Sequence, residues 1–292
     1  MKTVTTTTSS LTSFWRRNRL CYYLLAPLFL ISLLGSVIYS NTLFNPFIFD
    51  DLPFIVHNTR IKDVSDIASI WKATPIPSRF ISYLTFAWDY HWGGGEVVLF
   101  HITNIVIHII NACLTFWLML MTLNTYRFRD QLPSQVKWLL SFSCALLFLT
   151  HPLQTQAVTY ITQRFASLCT LFYVLSLCCF IAAKQTQKKY IYILSILSAV
   201  LAMFSKQIAI TLPFMIILYD AVFFKRTKRK IPAYWLIIGA FFLIIPALYS
   251  FKFIGMLIRT ADSGSLLGEP INTWTYFLTQ SRVIMVYLKL LF

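Results

Sequence analysis

Long apolar runs separated by short polar connections set the pattern of this chain from about residue 20 onward. A helix needs about 20 mostly apolar residues to cross a hydrocarbon core of about 30 Å. Runs at residues 20–40, 97–123, 138–151, 165–183, 190–204, 208–224 and 232–249 meet or approach that length, and a further one starts at 281 and reaches residue 292. The pattern predicts an all-α, polytopic membrane helix bundle of seven or eight spans, 20–292, whose last helix is cut short, so the sequence reads as C-terminally incomplete. Residues 1–19 open instead on a Thr and Ser tract too polar to offset its ordering entropy, which predicts a disordered tail. Between the first two runs, Ile67, Ile70, Trp71, Phe80, Phe86, Trp88, Tyr90 and Trp92 alternate with Lys72, Arg79 and Asp89, and Pro75 and Pro77 split the stretch. That mixture predicts short amphipathic helices lying along the membrane interface.

Composition supports the same class. Hydrophobic residues make up 58% of the 292 and charged residues 12%, against about 25% charged in soluble domains, and the mean hydropathy is +0.68. The six cysteines lie inside or at the start of apolar stretches without a Cys-x-x-Cys spacing, and read as small buried hydrophobes.

The formal net charge of +15 changes the picture only through its placement. Basic residues cluster in alternate connections: Lys2, Arg16, Arg17 and Arg19; Arg127, Arg129 and Lys137; Lys184, Lys188 and Lys189; Lys225, Arg226, Lys228, Arg229 and Lys230. Positive residues are retained on the cytoplasmic side, so these connections and the N-terminus are expected there. Eight of the ten acids fall on the other side, leaving Asp130 and Asp220 with the basic clusters. The basicity is thus a topology signal and an attraction to anionic headgroups, and a nucleic-acid partner is excluded.

Candidate chemistry gathers on the outer side, where residues 41–96 and 251–280 form the long connections. Asp50 and Asp51 follow an apolar Phe47-Ile48-Phe49 exit. Two adjacent carboxylates at a membrane surface can supply a general base or a cation ligand, because desolvation and mutual repulsion raise the pKa of one of them; from spacing alone a plain helix or turn cap is the plainer reading. In the second run His101, Asn104, His108 and Asn111 are spaced 3, 4 and 3, which puts all four on one helix face. Such a stripe must face protein or a hydrated cavity; interhelical hydrogen bonding is the plainer reading for His108 and Asn111. Two histidines two helical turns apart do not make a metal site without other ligands. The short outer turns carry His151-Pro152, Tyr160, Gln163-Arg164 and Ser205-Lys206-Gln207, and single cations there could clamp a phosphate headgroup or simply snorkel from a helix end.

Four blocks, in order, resemble the polyprenyl-phosphate-sugar-dependent glycosyltransferases of the GT-C fold, and among them the transmembrane tetratricopeptide-repeat O-mannosyltransferases and their bacterial relatives. The blocks are Phe49-Asp50-Asp51 with Ile55, Asn58 and Trp71; His101 with Asn104, His108 and Asn111; His151-Pro152 through Ala157-Val158-Thr159-Tyr160-Ile161 to Gln163-Arg164; and Ser205-Lys206-Gln207 through Leu212-Pro213 to Asp220. The resemblance implies an inverting transfer of a sugar, mannose in the nearest case, from a polyprenyl-phosphate donor to a hydroxyl on protein or glycan at the extracytoplasmic face. It implies Asp50 or Asp51 as the base, and Arg79, His101, Asn104, His151, Arg164 and Lys206 as substrate-binding groups. No cofactor is required on this reading beyond the lipid-linked donor, although the acidic pair leaves room for a divalent cation. The membrane would be the bacterial inner membrane or the eukaryotic endoplasmic reticulum. The chain departs from the family pattern at Gln207, where relatives often carry an acid, and at Phe80, where they carry proline, and it shows no tetratricopeptide period. A lipid-linked-sugar transporter or flippase and a noncatalytic membrane scaffold are the alternatives.

Overall fold

The computed structural model describes residues 25–73, 79–224 and 273–290, and every regular element among them is helical. The chain divides into two compact units, Met1–Arg229 and Lys230–Phe292. The first holds α1 (Leu25–Thr42), α2 (Ile67–Ala73), α3 (Phe80–Gly93), α4 (Val97–Leu123), α5 (Ser134–Thr150), α6 (Gln154–Thr159), α7 (Arg164–Thr186), α8 (Lys189–Met203) and α9 (Leu212–Phe223). The described part of the second is α10 (Thr273–Leu290), a helix with Trp274 stacked on Phe277. The tail at 1–19, the run at 232–249 and residues 251–272 of the second outer connection lie outside the described residues.

This is an all-α membrane helix bundle. Three segments, Leu25–Thr42, Val97–Leu123 and Ile161–Thr186, are long and apolar enough to cross a membrane, and Ser134–Thr150, Lys189–Met203 and Gln207–Phe223 are shorter apolar helices. The segment expected at 138–151 begins earlier, at Ser134, because Lys137 need not end the helix. Its ammonium bends back to the carbonyl of Arg129 and the amide oxygen of Asn124, so the charge is satisfied while the stem is buried.

α4 is the axis of the first unit. It packs against α5 and α7, and its buried face runs through Phe100, Ile105, Ala112 and Phe116 between the polar positions of the stripe. Gly35 lets α1 approach closely, since a Cβ there would lie 2.7 Å from Cγ1 of Ile109. α7 and α8 form an antiparallel hairpin, turned at Gln187 (φ 57°) and sewn by Ser176 and Ser195, whose hydroxyls each donate to the other's carbonyl at 2.8 Å. At the basic end, Lys184 pairs with Asp220 at 2.7 Å and Arg129 approaches Asp130 at 4.0 Å, so both acids expected among the cytoplasmic clusters have a basic partner.

At the opposite end the first connection is not a loose loop. Its short helices bury Ile55, Ile61, Ile70, Tyr83, Phe86 and Ala87 against Phe100 of α4 and Phe165 of α7. Each of α2 and α3 thus has a covered side, while Ile67, Trp71, Trp88 and Trp92 remain exposed, in keeping with the amphipathic pattern. Gly94 and Gly95, both at positive φ, turn the chain from α3 into α4, and a Cβ on Gly95 would meet the Tyr90 ring at 2.9 Å.

Candidate functional site

The acidic pair sits where α1 hands over to this cap. Phe49 has φ 43°, a left-handed backbone uncommon for a bulky side chain, and its ring is 80% exposed. The reversal sends the two carboxylates apart. Asp51 is only 1% exposed; its Oδ2 accepts the N–H of Ile48 at 3.1 Å and its Oδ1 the N–H of Thr162 at 2.9 Å. Burial pushes its carboxyl up, against the pull of those two N–H donors and of His101. The cause is burial rather than repulsion from Asp50. Asp50 is exposed, held through its backbone N–H, which donates to Tyr160 Oη at 3.0 Å. A single π-helical turn, Leu52–Val56, follows and turns Phe54 toward Phe165.

The stripe on α4 is completely buried, and each of its four side chains donates to a backbone carbonyl. His101 Nε2 lies 3.0 Å from the carbonyl of Asn45, and Asn104 Nδ2 donates to the carbonyls of Val158 and Ile161 at 3.2 and 3.3 Å. Deeper in the bundle, His108 reaches the Leu149 carbonyl at 3.1 Å and Asn111 that of Ser167 at 2.9 Å. These carbonyls lie in the segment after α1, near the end of α5, in the broken stretch between α5 and α7, and in the first turn of α7. All but that of Ser167 belong to loops, 3-10 turns or last helical turns, where the α-helical ladder is incomplete, and the stripe supplies donors to them.

Arg164 departs most from expectation. Named by the resemblance as a substrate cation, it has 0% exposure and all of its nitrogens point at protein. Nε donates to Asn104 Oδ1 at 2.6 Å, Nη2 to the Phe100 carbonyl at 2.7 Å, and Nη1 lies 2.5 Å from Asp89 Oδ2. The rings of Phe86 and Phe100 flank the guanidinium at 4.5 and 5.9 Å. A cation so enclosed has no surface to offer a headgroup. His151 likewise makes only a local bond among the described residues: it is exposed, and its Nδ1 accepts the N–H of Leu153.

Arg79 and Lys206 behave differently. Both are half-buried, and neither has a carboxylate partner among the described residues. Arg79 lies over the Phe165 ring at 4.8 Å, with a buried Nε that meets no acceptor among the described residues. Burial pulls the Lys206 ammonium down, and neighbouring Arg79 adds to the effect. The two come together because the start of α3 docks on the α8–α9 connection. Ile81 N–H donates to the Phe204 carbonyl at 3.0 Å, Ser82 Oγ to the Ser205 carbonyl at 3.3 Å, and Trp71 packs on Phe80 and Phe204. Phe165 then joins this pair of cations to the acidic turn, since it touches Phe54 as well as carrying Arg79.

Both oxygens of Asp51 accept backbone N–H groups, and the described residues hold no group of three or more His, Cys, Asp or Glu side chains placed to hold a metal. Sequence reasoning missed Asp89, Thr103, Thr162 and the grip of Tyr160. The available signal for Asp89 was a lone acid in an otherwise aromatic and apolar helix.

No family model matches this sequence, and no solved structure matches it. Curated relatives do. Protein O-mannosyl-transferase Tmtc1 of Drosophila melanogaster is 27% identical over 191 residues, covering 62% of this chain and 21% of the relative. Protein O-mannosyl-transferase F38B6.6 of Caenorhabditis elegans is 29% identical over 202 residues, covering 64% and 28%. Human Protein O-mannosyl-transferase TMTC4 is 26% identical over 214 residues, again 64% and 28%. The chain is similar to these O-mannosyltransferases and spans between 21% and 28% of their length.

Proposed function

We propose that this chain forms the catalytic membrane part of a glycosyltransferase that moves mannose from a polyprenyl-phosphate donor to a hydroxyl group of a protein acceptor. The observation that carries the reading is the exposed Asp50, anchored beside a buried Asp51 and joined through Phe54 and Phe165 to Arg79 and Lys206, two cations without a carboxylate partner among the described residues. Asp50 takes the proton of the acceptor hydroxyl while that oxygen bonds to the anomeric carbon. The bond from that carbon to the phosphate oxygen breaks on the opposite side, with inversion, and the lipid phosphate departs with the electron pair. Arg79 and Lys206 meet the charge that develops there. Asp51, His101, Asn104 and Arg164 shape the site from within. The similarity to named O-mannosyltransferases supports the sugar and the class of acceptor. The charge pattern supports a multi-pass protein with its N-terminus in the cytoplasm and this site on the far side.

The test is Asp50→Asn in the full-length protein, assayed in membranes with a polyprenyl-phosphate mannose donor and a protein acceptor. Transfer is expected to vanish while the protein inserts and folds. Full activity in that variant would overturn the reading.

A further inference from the structure

Both grips on the acidic pair come from one short stretch. Tyr160 Oη holds the Asp50 N–H, and the Thr162 N–H holds Asp51 Oδ1. This stretch is irregular: a one-turn helix, α6, gives way to a 3-10 turn, Ile161–Gln163, before α7 begins. Backbone bonds from Tyr160 N–H to the Gln156 carbonyl at 3.2 Å and from Gln163 N–H to the Tyr160 carbonyl at 3.0 Å hold it locally. Asn104 ties it to α4, through the carbonyls of Val158 and Ile161 on either side of Tyr160. The Asn104 amide is turned the right way by Arg164, whose Nε–H occupies Oδ1 and leaves Nδ2 for the carbonyls. Arg164 is set in turn by Asp89, which reaches it from α3 and is itself oriented by Thr103 Oγ1 donating to Asp89 Oδ1 at 2.8 Å.

We infer that Asp89 is a positioning residue for Asp50, acting through Arg164, Asn104 and the Val158–Thr162 stretch. The inference rests on the reading of Asp50 as the base. Asp89 touches neither Asp50 nor the exposed surface, yet the line of contacts from it ends at both attachments of the acidic turn. A buried ion pair is a weak source of stability, because desolvation offsets most of its attraction and apolar groups of similar volume would serve as well. Planar, directional bonds are what apolar groups cannot supply. Here they fix the plane of one amide, which decides where Tyr160 and Thr162 stand.

The experiment uses the full-length protein purified from membranes, with transfer kinetics expressed per folded molecule. Asp89→Asn, which removes the charge at constant size, is expected to lower kcat about 100-fold, the cost of misplacing a reacting group by about 1 Å. KM for the polyprenyl-phosphate mannose should stay within about twofold, because the donor contacts are untouched. Asp89→Glu should recover part of the loss. A purely structural Asp89 would reduce the yield of folded protein and leave kcat alone, and that result would overturn the inference. Should Asp89→Asn fail to fold, Thr103→Val decides: it keeps the ion pair but frees the carboxylate to rotate, and an unchanged kcat there would overturn the inference too. If Asp50→Asn is inactive and these variants turn over normally, the relay falls and the base stands; if Asp50→Asn is active, the base reading itself falls.

Discussion

The carboxylate of Asp89 and the guanidinium of Arg164 meet at 2.5 Å where neither has meaningful access to solvent. They bring together α3 of the cap and the first residue of α7, and Asn104 of α4 completes the junction. Three helices are thereby joined by directional bonds at one point. That junction supports the end of the bundle on which the acidic turn is built.

Removing one partner should be costly. Arg164→Gln or Asp89→Asn leaves a buried charge without its counterion, which destabilises by about 3–5 kcal/mol. Removing both together should cost clearly less than the two single losses combined, because no lone charge remains. A double-mutant cycle on detergent-solubilised protein, followed by thermal unfolding, measures the difference. Additive losses would show that the two groups do not interact in the folded protein.

The stripe of α4 should divide into two functional halves. His108 donates to the Leu149 carbonyl and lies between the rings of Tyr39 and Phe148, well inside the bundle. His108→Phe keeps the packing and removes one of two donors to that carbonyl, which retains Tyr39 Oη at 3.0 Å, so stability should fall by about 0.5–1.5 kcal/mol with kcat per folded molecule unchanged. His101→Phe also releases the Asn45 carbonyl, close to the acidic turn, and should lower kcat as well as stability. Comparing turnover with the folded fraction for the two variants checks this.

How much of this could be read from the residues alone varied with the kind of interaction. The 3, 4, 3 spacing of the stripe was legible because a helix converts sequence distance directly into a shared face. Its partners were not, since a backbone carbonyl has no residue type to announce it. Arg164 and Lys206 looked alike, each a single cation in a tight outer turn. Their fates differ because Phe86, Phe100 and Asp89 close over one and not the other, and that depends on how the first connection folds back. Asp50 and Asp51 looked interchangeable for the same reason: the positive φ at Phe49, which sends one outward and the other inward, has no glycine to mark it.

The two cations should act on the leaving group rather than on folding. Neither holds a carboxylate among the described residues, so Arg79→Ala and Lys206→Ala should leave thermal stability nearly unchanged. Each should lower transfer by about 100-fold, the usual loss when one donor to a developing anion is removed. Arg79→Lys should retain more activity than Arg79→Ala, since a point charge still reaches the phosphate. Steady-state assays with varied donor concentration separate the effect on kcat from that on KM. Wild-type kinetics in both alanine variants would remove these residues from the site.

Asp51 should leave a signature in the dependence of stability on pH. Its carboxyl is raised above the ordinary carboxylate value mainly by burial, so the folded protein resists losing that proton while the unfolded chain gives it up readily. A raised folded value means that the contribution of Asp51 is fully present below the unfolded pKa of about 3.9 and is lost as pH rises through the folded value. Asp51→Asn cannot ionise, and its amide offers only one acceptor oxygen to the two N–H groups of Ile48 and Thr162. The variant should therefore be the less stable protein at low pH, and the gap should narrow as pH rises from about 3 to about 7. Unfolding temperatures of both proteins across that range decide the matter. A gap that widens with pH would mean that the two N–H donors outweigh burial and that Asp51 is held as a stabilised carboxylate.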